Sequence, residues 1–97
     1  MAISVLVEGH AKEGKIQDIV NFFEEAFKIT RNFDGCLEIY LTLNSKENNN
    51  FIMIEKWESK KHFDKYVKFR TEKGTIDELI NMCVKTKPFK VSEILSI

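Results

Sequence analysis

The chain has 97 residues, of which 43% are hydrophobic and 31% are charged, a composition typical of a folded globular protein and not of a disordered or fibrous one. We expect a single domain over residues 1–97, because so short a chain has apolar surface for only one core. Lys and Arg number 15 and Asp and Glu number 15, so the formal net charge is zero. A neutral chain lacks the basic surface that attracts nucleic acid or anionic membranes, and we expect neither partner.

Aromatic residues are unusually frequent, with eight Phe, two Tyr and one Trp. Such an excess over the needs of one small core indicates a pocket or a subunit interface. Cys36 and Cys83 lie far apart, without a CxxC pair or a neighbouring set of Cys and His, so we expect reduced thiols, a cytoplasmic protein and no metal site. The N-terminal residues show no signal-peptide pattern and no membrane span.

The first third of the chain predicts a strand followed by a helix. Residues 2–10 are rich in β-branched side chains and predict the strand, and Gly14 marks a turn. From residue 16 to residue 30, apolar side chains recur at helical spacing and predict an amphipathic helix with one buried stripe. The stripe comprises Ile16, Ile19, Val20, Phe23, Ala26, Phe27 and Thr30. Phe22 and Ile29 lie at its edge and are candidates for an interface.

The middle of the chain predicts a hairpin and a second helix. Asp34-Gly35 ends the first helical region, and residues 36–43 and 51–58 predict two strands joined by a polar, Asn-rich loop. Ser59 is a plausible N-cap for a helix that begins at Lys60. This helix places Phe63, Tyr66, Val67 and Arg70 on one side.

The last quarter predicts a short helix and a final strand. Gly74 breaks the second helix, and Thr75 with Glu78 has the spacing of a capping box for the next one. The short helix carries Ile76, Leu79, Ile80 and Cys83. The chain then passes through Pro88 into a strand over residues 89–95.

This order, β-α-β-β-α-(α)-β, predicts an α+β, ferredoxin-like fold with a four-stranded antiparallel sheet and helices on one face. The strands also carry apolar residues on the opposite parity, namely Leu6, Ile52, Ile54 and Ile94. Apolar residues on both faces of an antiparallel sheet indicate that both faces are buried. We therefore predict a two-fold homodimer in which a second sheet covers the free face.

Residues 51–66, from Phe51 through Trp57 to Tyr66, resemble the signature of the antibiotic biosynthesis monooxygenase (ABM) family, within the dimeric α+β barrel superfamily. The segments 13–15 and 30–37 are also similar to family motifs. The resemblance implies a dimeric α/β barrel and a small apolar pocket between sheet and helices. It also implies a cofactor-independent monooxygenase, an oxidoreductase that uses no metal or flavin and acts on small aromatic, quinol-like substrates.

The resemblance and the strand parity together define the candidate site residues. Trp57, Tyr66 and His62 are the catalytic candidates: Trp57 is the signature residue, Tyr66 stands where many family members have His, and some quinol-type relatives carry a His at the position of His62. Glu55 and Met53 share a strand face with Trp57, so Glu55 is a candidate polar anchor and, if buried, a base. Alternatively, Trp57 packs in the core and Glu55 pairs with a Lys or Arg. The remaining candidates for substrate binding are Phe63, Phe23 and Phe27, which are also core candidates.

Several positions depart from the family patterns. Some oxygenases have Asn, Tyr and Arg where this chain has Met53, Phe63 and Asp77. The residues characteristic of haem-degrading members are replaced as well, which excludes that activity. Two functions stay open: an oxygenase, or a non-catalytic dimer that binds small apolar aromatic molecules. We expect Arg31 and Arg70 to hold carboxylates within the fold.

Overall fold

A computed structural model describes residues 1–97. Three helices and five strands follow one another along the chain. They are β1 (Ile3–Ala11), α1 (Ile16–Thr30), β2 (Cys36–Leu43), β3 (Asn50–Trp57), α2 (Lys60–Glu72), α3 (Thr75–Asn81), β4 (Cys83–Thr86) and β5 (Lys90–Glu93). None of the helices combines the length and the apolar character needed to cross a bilayer.

The strands form one antiparallel sheet in the order β2-β3-β1-β4, with β5 also paired to β1. β4 pairs with the end of β1 around His10, whereas β5 pairs with its beginning from Ile3 to Leu6. The prediction of four strands was therefore wrong, because the edge position beside β1 is filled by two short strands. Pro88 lies between them and has no N–H to donate to a ladder.

The predicted α1 and β2 are confirmed with their bounds, and the ferredoxin-like α+β fold is confirmed as well. Ser59 caps α2 as predicted, since its Oγ accepts a hydrogen bond of 3.2 Å from the His62 backbone N–H. The loop between β2 and β3 is closed by Asn44, whose backbone N–H donates to the Asn50 carbonyl over 2.9 Å.

The start of α3 differs from the prediction. Gly74, not Thr75, is the N-cap residue, and no side chain caps the helix. Gly74 adopts the left-handed conformation, with φ of 76°, that the sharp junction between α2 and α3 requires. Helix α3 then ends at Asn81, so that Cys83 begins β4 instead of belonging to the helix.

The core lies between the sheet and the helices. Along β1 the odd-numbered side chains are buried and the even-numbered ones are only partly buried, the pattern of a sheet covered on one face. The buried apolar residues from β1, α1 and β3 include Val5, Val7, Ile19, Phe23, Phe27, Phe51, Met53 and Trp57. The opposite face of the sheet carries no helix and presents Leu6, Ile52, Ile54 and Tyr40.

The junction between α1 and β2 depends on Gly35. Its φ is 87°, and a Cβ at this position would lie 2.4 Å from Cγ of His62. Gly14 has a similar φ of 76° but open space around it, so it serves as a matched control.

We predict that Gly14→Ala costs about 1 kcal/mol of unfolding free energy, from the left-handed backbone alone. Gly35→Ala should cost about 2–4 kcal/mol, because the ring of His62 must also move. Urea denaturation of the two variants measures the difference. Equal losses of stability would show that the contact with His62 is unimportant.

Candidate functional site

A cavity of about 470 Å³ lies between the sheet and the three helices. Its volume falls in the range of about 300–1,000 Å³ typical of small-molecule sites. Most of the surrounding side chains are apolar, and they come from β1, α1, β3, α2, α3 and the segment between β4 and β5. The polar side chains that reach the cavity include Thr30, Glu55, Tyr66 and Arg70.

Aromatic rings form much of the apolar wall. Phe23 and Phe27 of α1 stack with ring centroids 5.4 Å apart, and Phe63 of α2 meets Phe89 edge to face at 5.7 Å. Phe23, Phe27 and Phe63 are thus both core residues and cavity residues. Phe22, an interface candidate from the sequence, lines the cavity as well, whereas Ile29 is 51% exposed.

Glu55 is a carboxyl group buried in this apolar setting, with only 2% of the residue exposed. Its Oε1 accepts a hydrogen bond of 2.8 Å from the indole N–H of Trp57. No Lys or Arg pairs with it, so the predicted alternative of an internal ion pair is wrong. Oε2 has no hydrogen bond, and since no enclosed polar side-chain atom lacks a partner, this oxygen is accessible on the cavity side.

The burial of Glu55 sets its protonation. Desolvation raises the pKa of the carboxyl group to about 7, and the hydrogen bond from Trp57 opposes this rise. A carboxyl group with a pKa near neutrality can both accept and return a proton under physiological conditions. Glu55 therefore combines a free oxygen, a cavity position and a matched pKa.

Trp57 is fully buried, with 0% of the residue exposed, and it does not line the cavity. Its ring packs against Tyr66 with centroids 4.8 Å apart and against Phe63 at 6.0 Å. Trp57 thus lies behind the cavity wall, where it fixes the Glu55 carboxylate and supports Tyr66. Its position agrees with the predicted alternative that Trp57 packs in the core.

Tyr66, Thr30 and Arg70 form a hydrogen-bond chain between α2 and α1. The Arg70 Nε donates to the Tyr66 hydroxyl over 2.8 Å, and that hydroxyl lies 2.6 Å from Thr30 Oγ1. Thr30 Oγ1 in turn donates to the Ala26 carbonyl over 3.1 Å. Because Arg70 can only donate and the Thr30 hydroxyl proton is directed to the Ala26 carbonyl, the Tyr66 hydroxyl donates its hydrogen bond to Thr30 Oγ1.

Burial raises the pKa of Tyr66 above its usual value, although the bonds to Thr30 and Arg70 oppose the shift. The phenol consequently stays protonated at neutral pH and cannot act as the base.

His62 lies outside the cavity. Its ring packs on Gly35, and its Nδ1 is 2.7 Å from Ser59 Oγ. Its Nε2 is 3.7 Å from a carboxylate oxygen of Asp34 and 3.6 Å from one of Glu58, both exposed residues. The position of His62 gives no support to the predicted grouping of this residue with Trp57 and Tyr66.

The sequence interpretation gave no site role to Thr30 or Arg70. Arg70 holds no carboxylate, contrary to the prediction, and neither does Arg31, whose Nη2 donates to the Ile39 carbonyl over 3.2 Å. A signal for Arg70 did exist: it continues the spacing of Phe63, Tyr66 and Val67 on the face of α2 turned to the core. A cationic side chain on the core-facing side of a helix indicates that it binds a polar group inside the fold.

The fold is shared with several solved structures of low sequence identity. A conserved protein from Methanosarcina mazei Go1 is 19% identical, with a TM-score of 0.86 over 95% of this chain and 91% of that one. Rv0793 from Mycobacterium tuberculosis is 13% identical, with a TM-score of 0.82 over 100% and 98%. SnoaB from Streptomyces nogalater, described as a cofactor-independent oxygenase and solved as a point mutant, is 9% identical, with a TM-score of 0.85 over 99% and 95%. At these identities the likeness shows the fold alone.

No curated protein is significantly similar in sequence to this chain. The family model of the antibiotic biosynthesis monooxygenases matches residues 2–78, which include β1, the hairpin, α1, α2 and thus Glu55, Tyr66 and Arg70. This match covers most of the chain and agrees with the shared fold. The protein belongs to the antibiotic biosynthesis monooxygenase family.

Proposed function

We propose that the protein is a cofactor-independent oxygenase that oxidises a small aromatic substrate bound in the cavity, with Glu55 as the base. The observation that carries the proposal is the Glu55 carboxyl group, which lines the cavity among apolar side chains, with one oxygen held by Trp57 and the other free of partners in the protein. Membership of the family and a shared fold with a cofactor-independent oxygenase support it.

The chemistry suits a phenol with a free para position. Glu55 removes the hydroxyl proton, and the electron-rich phenolate transfers one electron to O₂ to give superoxide and a phenoxyl radical. The two radicals combine at the para carbon, and the peroxide that forms takes the proton back from Glu55. Loss of the para hydrogen together with hydroxide, as water, leaves a quinone. The substrate thus gains one oxygen atom and loses two hydrogens, and the second oxygen atom leaves in the water.

The remaining side chains enclose the substrate and position the base. Phe23, Phe27 and Met53 surround the ring with apolar surface and keep water from the radical pair. Trp57 is a positioning residue, because it acts on the substrate only through the carboxylate that it holds.

The second candidate function is non-catalytic binding of an apolar aromatic molecule. It is favoured by Met53 and Phe63, which make the cavity apolar at positions where some oxygenases have Asn and Tyr, and by Asp77, which is exposed and does not line the cavity. Binding without oxygen consumption distinguishes this function from the first.

The oxygenase proposal is tested by oxygen uptake with anthrone, which reacts as its phenol tautomer, and with 1-naphthol, since both have a free para position. We expect the rate to rise with pH through about 7, where Glu55 becomes ionised. Glu55→Gln should lower it by about 100-fold or more, since a general base contributes roughly 10²–10⁴. Trp57→Phe should move the midpoint of the pH profile upward, because it removes a hydrogen bond that stabilises the carboxylate.

Glu24→Gln, on the exposed side of α1, is the matched control and should leave the rate unchanged. Uptake equal to that of buffer alone, combined with thermal stabilisation by the same compounds, would reject the oxygenase and favour the binding protein.

The raised pKa of Glu55 also predicts how the stability of the protein depends on pH, which can be measured without a substrate. Its pKa is about 7 in the folded protein and near its ordinary value of 4.5 when unfolded, so the folded state binds the proton more tightly. The resulting stabilisation is fully present below pH 4.5 and is lost as pH rises through 7. Between pH 4.5 and 8 the loss should be on the order of 3 kcal/mol.

Urea denaturation of the wild type and of Glu55→Gln at several pH values measures this loss. Glutamine does not titrate, so the difference in unfolding free energy between the two proteins should change with pH. A difference that stays constant from pH 5 to pH 8 would contradict the raised pKa.

We also propose that the protein is a homodimer joined through the open face of the sheet. Leu6 of β1 and Ile52 and Ile54 of β3 form an apolar centre on this face, and Tyr40 of β2, 39% exposed, extends it. If two protomers are related by a two-fold axis through this face, each protomer buries the apolar side chains of the other.

Light scattering in solution should give twice the chain mass of 11.4 kDa at micromolar concentration. Ile54→Lys places a charge at the centre of the contact and should give monomers, whereas Lys56→Glu, toward the end of β3, is the milder control. A wild-type mass of 11.4 kDa would reject the dimer.

A further inference from the structure

Arg70 is a buried cation without an anionic partner. Only 7% of the residue is exposed, and its hydrogen bonds go to the Tyr66 hydroxyl, Thr30 Oγ1 and the Ala26 carbonyl, which are all neutral. No carboxylate pairs with it. The C-terminal end of α1 offers only a partial negative charge, of about half an electron. A full charge buried with so little compensation is costly unless a counter-charge arrives.

The guanidinium group keeps donors free for such a counter-charge. It has five N–H groups, and the bonds of Arg70 originate only from Nε and Nη2. Nη1 donates to nothing in the protein, and no enclosed polar side-chain atom lacks a partner, so Nη1 is accessible. Because Arg70 lines the cavity, we place these free donors at the cavity surface.

The other titratable groups around the cavity leave this charge uncompensated. Glu55 is not paired with Arg70 and is largely protonated below its pKa of about 7. Tyr66 is neutral, and Lys87 has its own partner in Glu8, at 3.5 Å. Helices α1 and α3 contribute no titratable side chain to the lining. Arg70 is therefore the one cation of the cavity lining that has no anionic partner.

We infer that the cavity binds an aromatic molecule carrying an anionic oxygen substituent, a carboxylate or an ionised phenol, with Arg70 as its receptor. The anion accepts charge-assisted hydrogen bonds from Nη1, which are stronger than bonds between neutral groups. The guanidinium is already fixed by three hydrogen bonds, so little further ordering is needed on binding. As a statement about the substrate, this inference rests on the proposed function.

Equilibrium binding of two matched pairs of compounds tests the inference on the wild-type protein. The pairs are 2-naphthoate with its neutral amide, 2-naphthamide, and 4-nitrophenolate with its methyl ether, 4-nitroanisole. Titration calorimetry is run at pH 6 for the naphthalene pair, where the naphthoate is ionised and Glu55 is largely protonated, and at pH 8 for the nitrophenyl pair, where the nitrophenol is ionised. It should show a preference for the anion of about tenfold or more in at least one pair. Preference within the naphthalene pair identifies a carboxylate, and preference within the nitrophenyl pair identifies an ionised phenol. Equal affinities within both pairs would overturn the inference.

Variants then locate the receptor. Arg70→Gln should abolish the preference for the anion and leave the affinity for the neutral compound within about twofold, because the apolar wall is unchanged. Arg31→Gln is the matched control, since Arg31 does not line the cavity, and it should keep the preference. Should Arg70→Gln fail to fold, Arg70→Lys keeps the charge and should reduce the preference without reversing it. A preference unaltered in either folded Arg70 variant would overturn the assignment.

Failure of the anion-receptor inference and failure of the oxygenase proposal give different experimental results. A preference for anions that depends on Arg70, without oxygen uptake, rejects the oxygenase and keeps the anion receptor. Oxygen uptake with equal binding of anion and neutral analogue rejects the receptor and keeps the oxygenase.

Discussion

The alternation of side chains along β3 is the constraint on which the site depends. Successive residues of a strand point to opposite faces, so Phe51, Met53, Glu55 and Trp57 must all turn toward the helices. Phe51, Met53 and Trp57 are typical core residues. The carboxyl group of Glu55 cannot move out of the core unless the pairing register of β3 shifts. The strand therefore forces Glu55 into an apolar layer, and its neighbour on the same face, Trp57, supplies the one hydrogen bond that makes this tolerable.

The cavity exists because the helical layer does not fill the space above the sheet. The apolar stripe of α1 covers β1 and β3, while α2 is tied to α1 only near Thr30, and α3 is short and has no buried residue. Aromatic side chains are too rigid to collapse into the space that is left. The surplus of aromatic residues noted in the sequence thus lines a cavity as well as filling a core, and Phe22 belongs to this lining.

Sequence patterns predict most of this fold because each element has a strong local signal: alternation for the strands, a continuous apolar stripe for α1, and Ser59 as a cap for α2. They fail at the edge of the sheet, where β4 and β5 share one position, since pairing with β1 depends on contacts between distant segments. For the site, strand parity was enough to group Glu55 with Met53 and Trp57. It could not show that Trp57 lies behind the wall, that His62 turns toward Ser59 and Gly35, or that Arg70 lacks a carboxylate, because those facts depend on how helices pack.

The hydrogen-bond chain from Arg70 through Tyr66 and Thr30 to the Ala26 carbonyl has a mechanical consequence. It joins α2 to the last turn of α1 by several bonds in series, at one end of the cavity. Two amphipathic helices over a partly empty space would otherwise be drawn together by the burial of their facing apolar surfaces. These hydrogen bonds fix the distance between α1 and α2, so the cavity between the helices stays open when no ligand is bound.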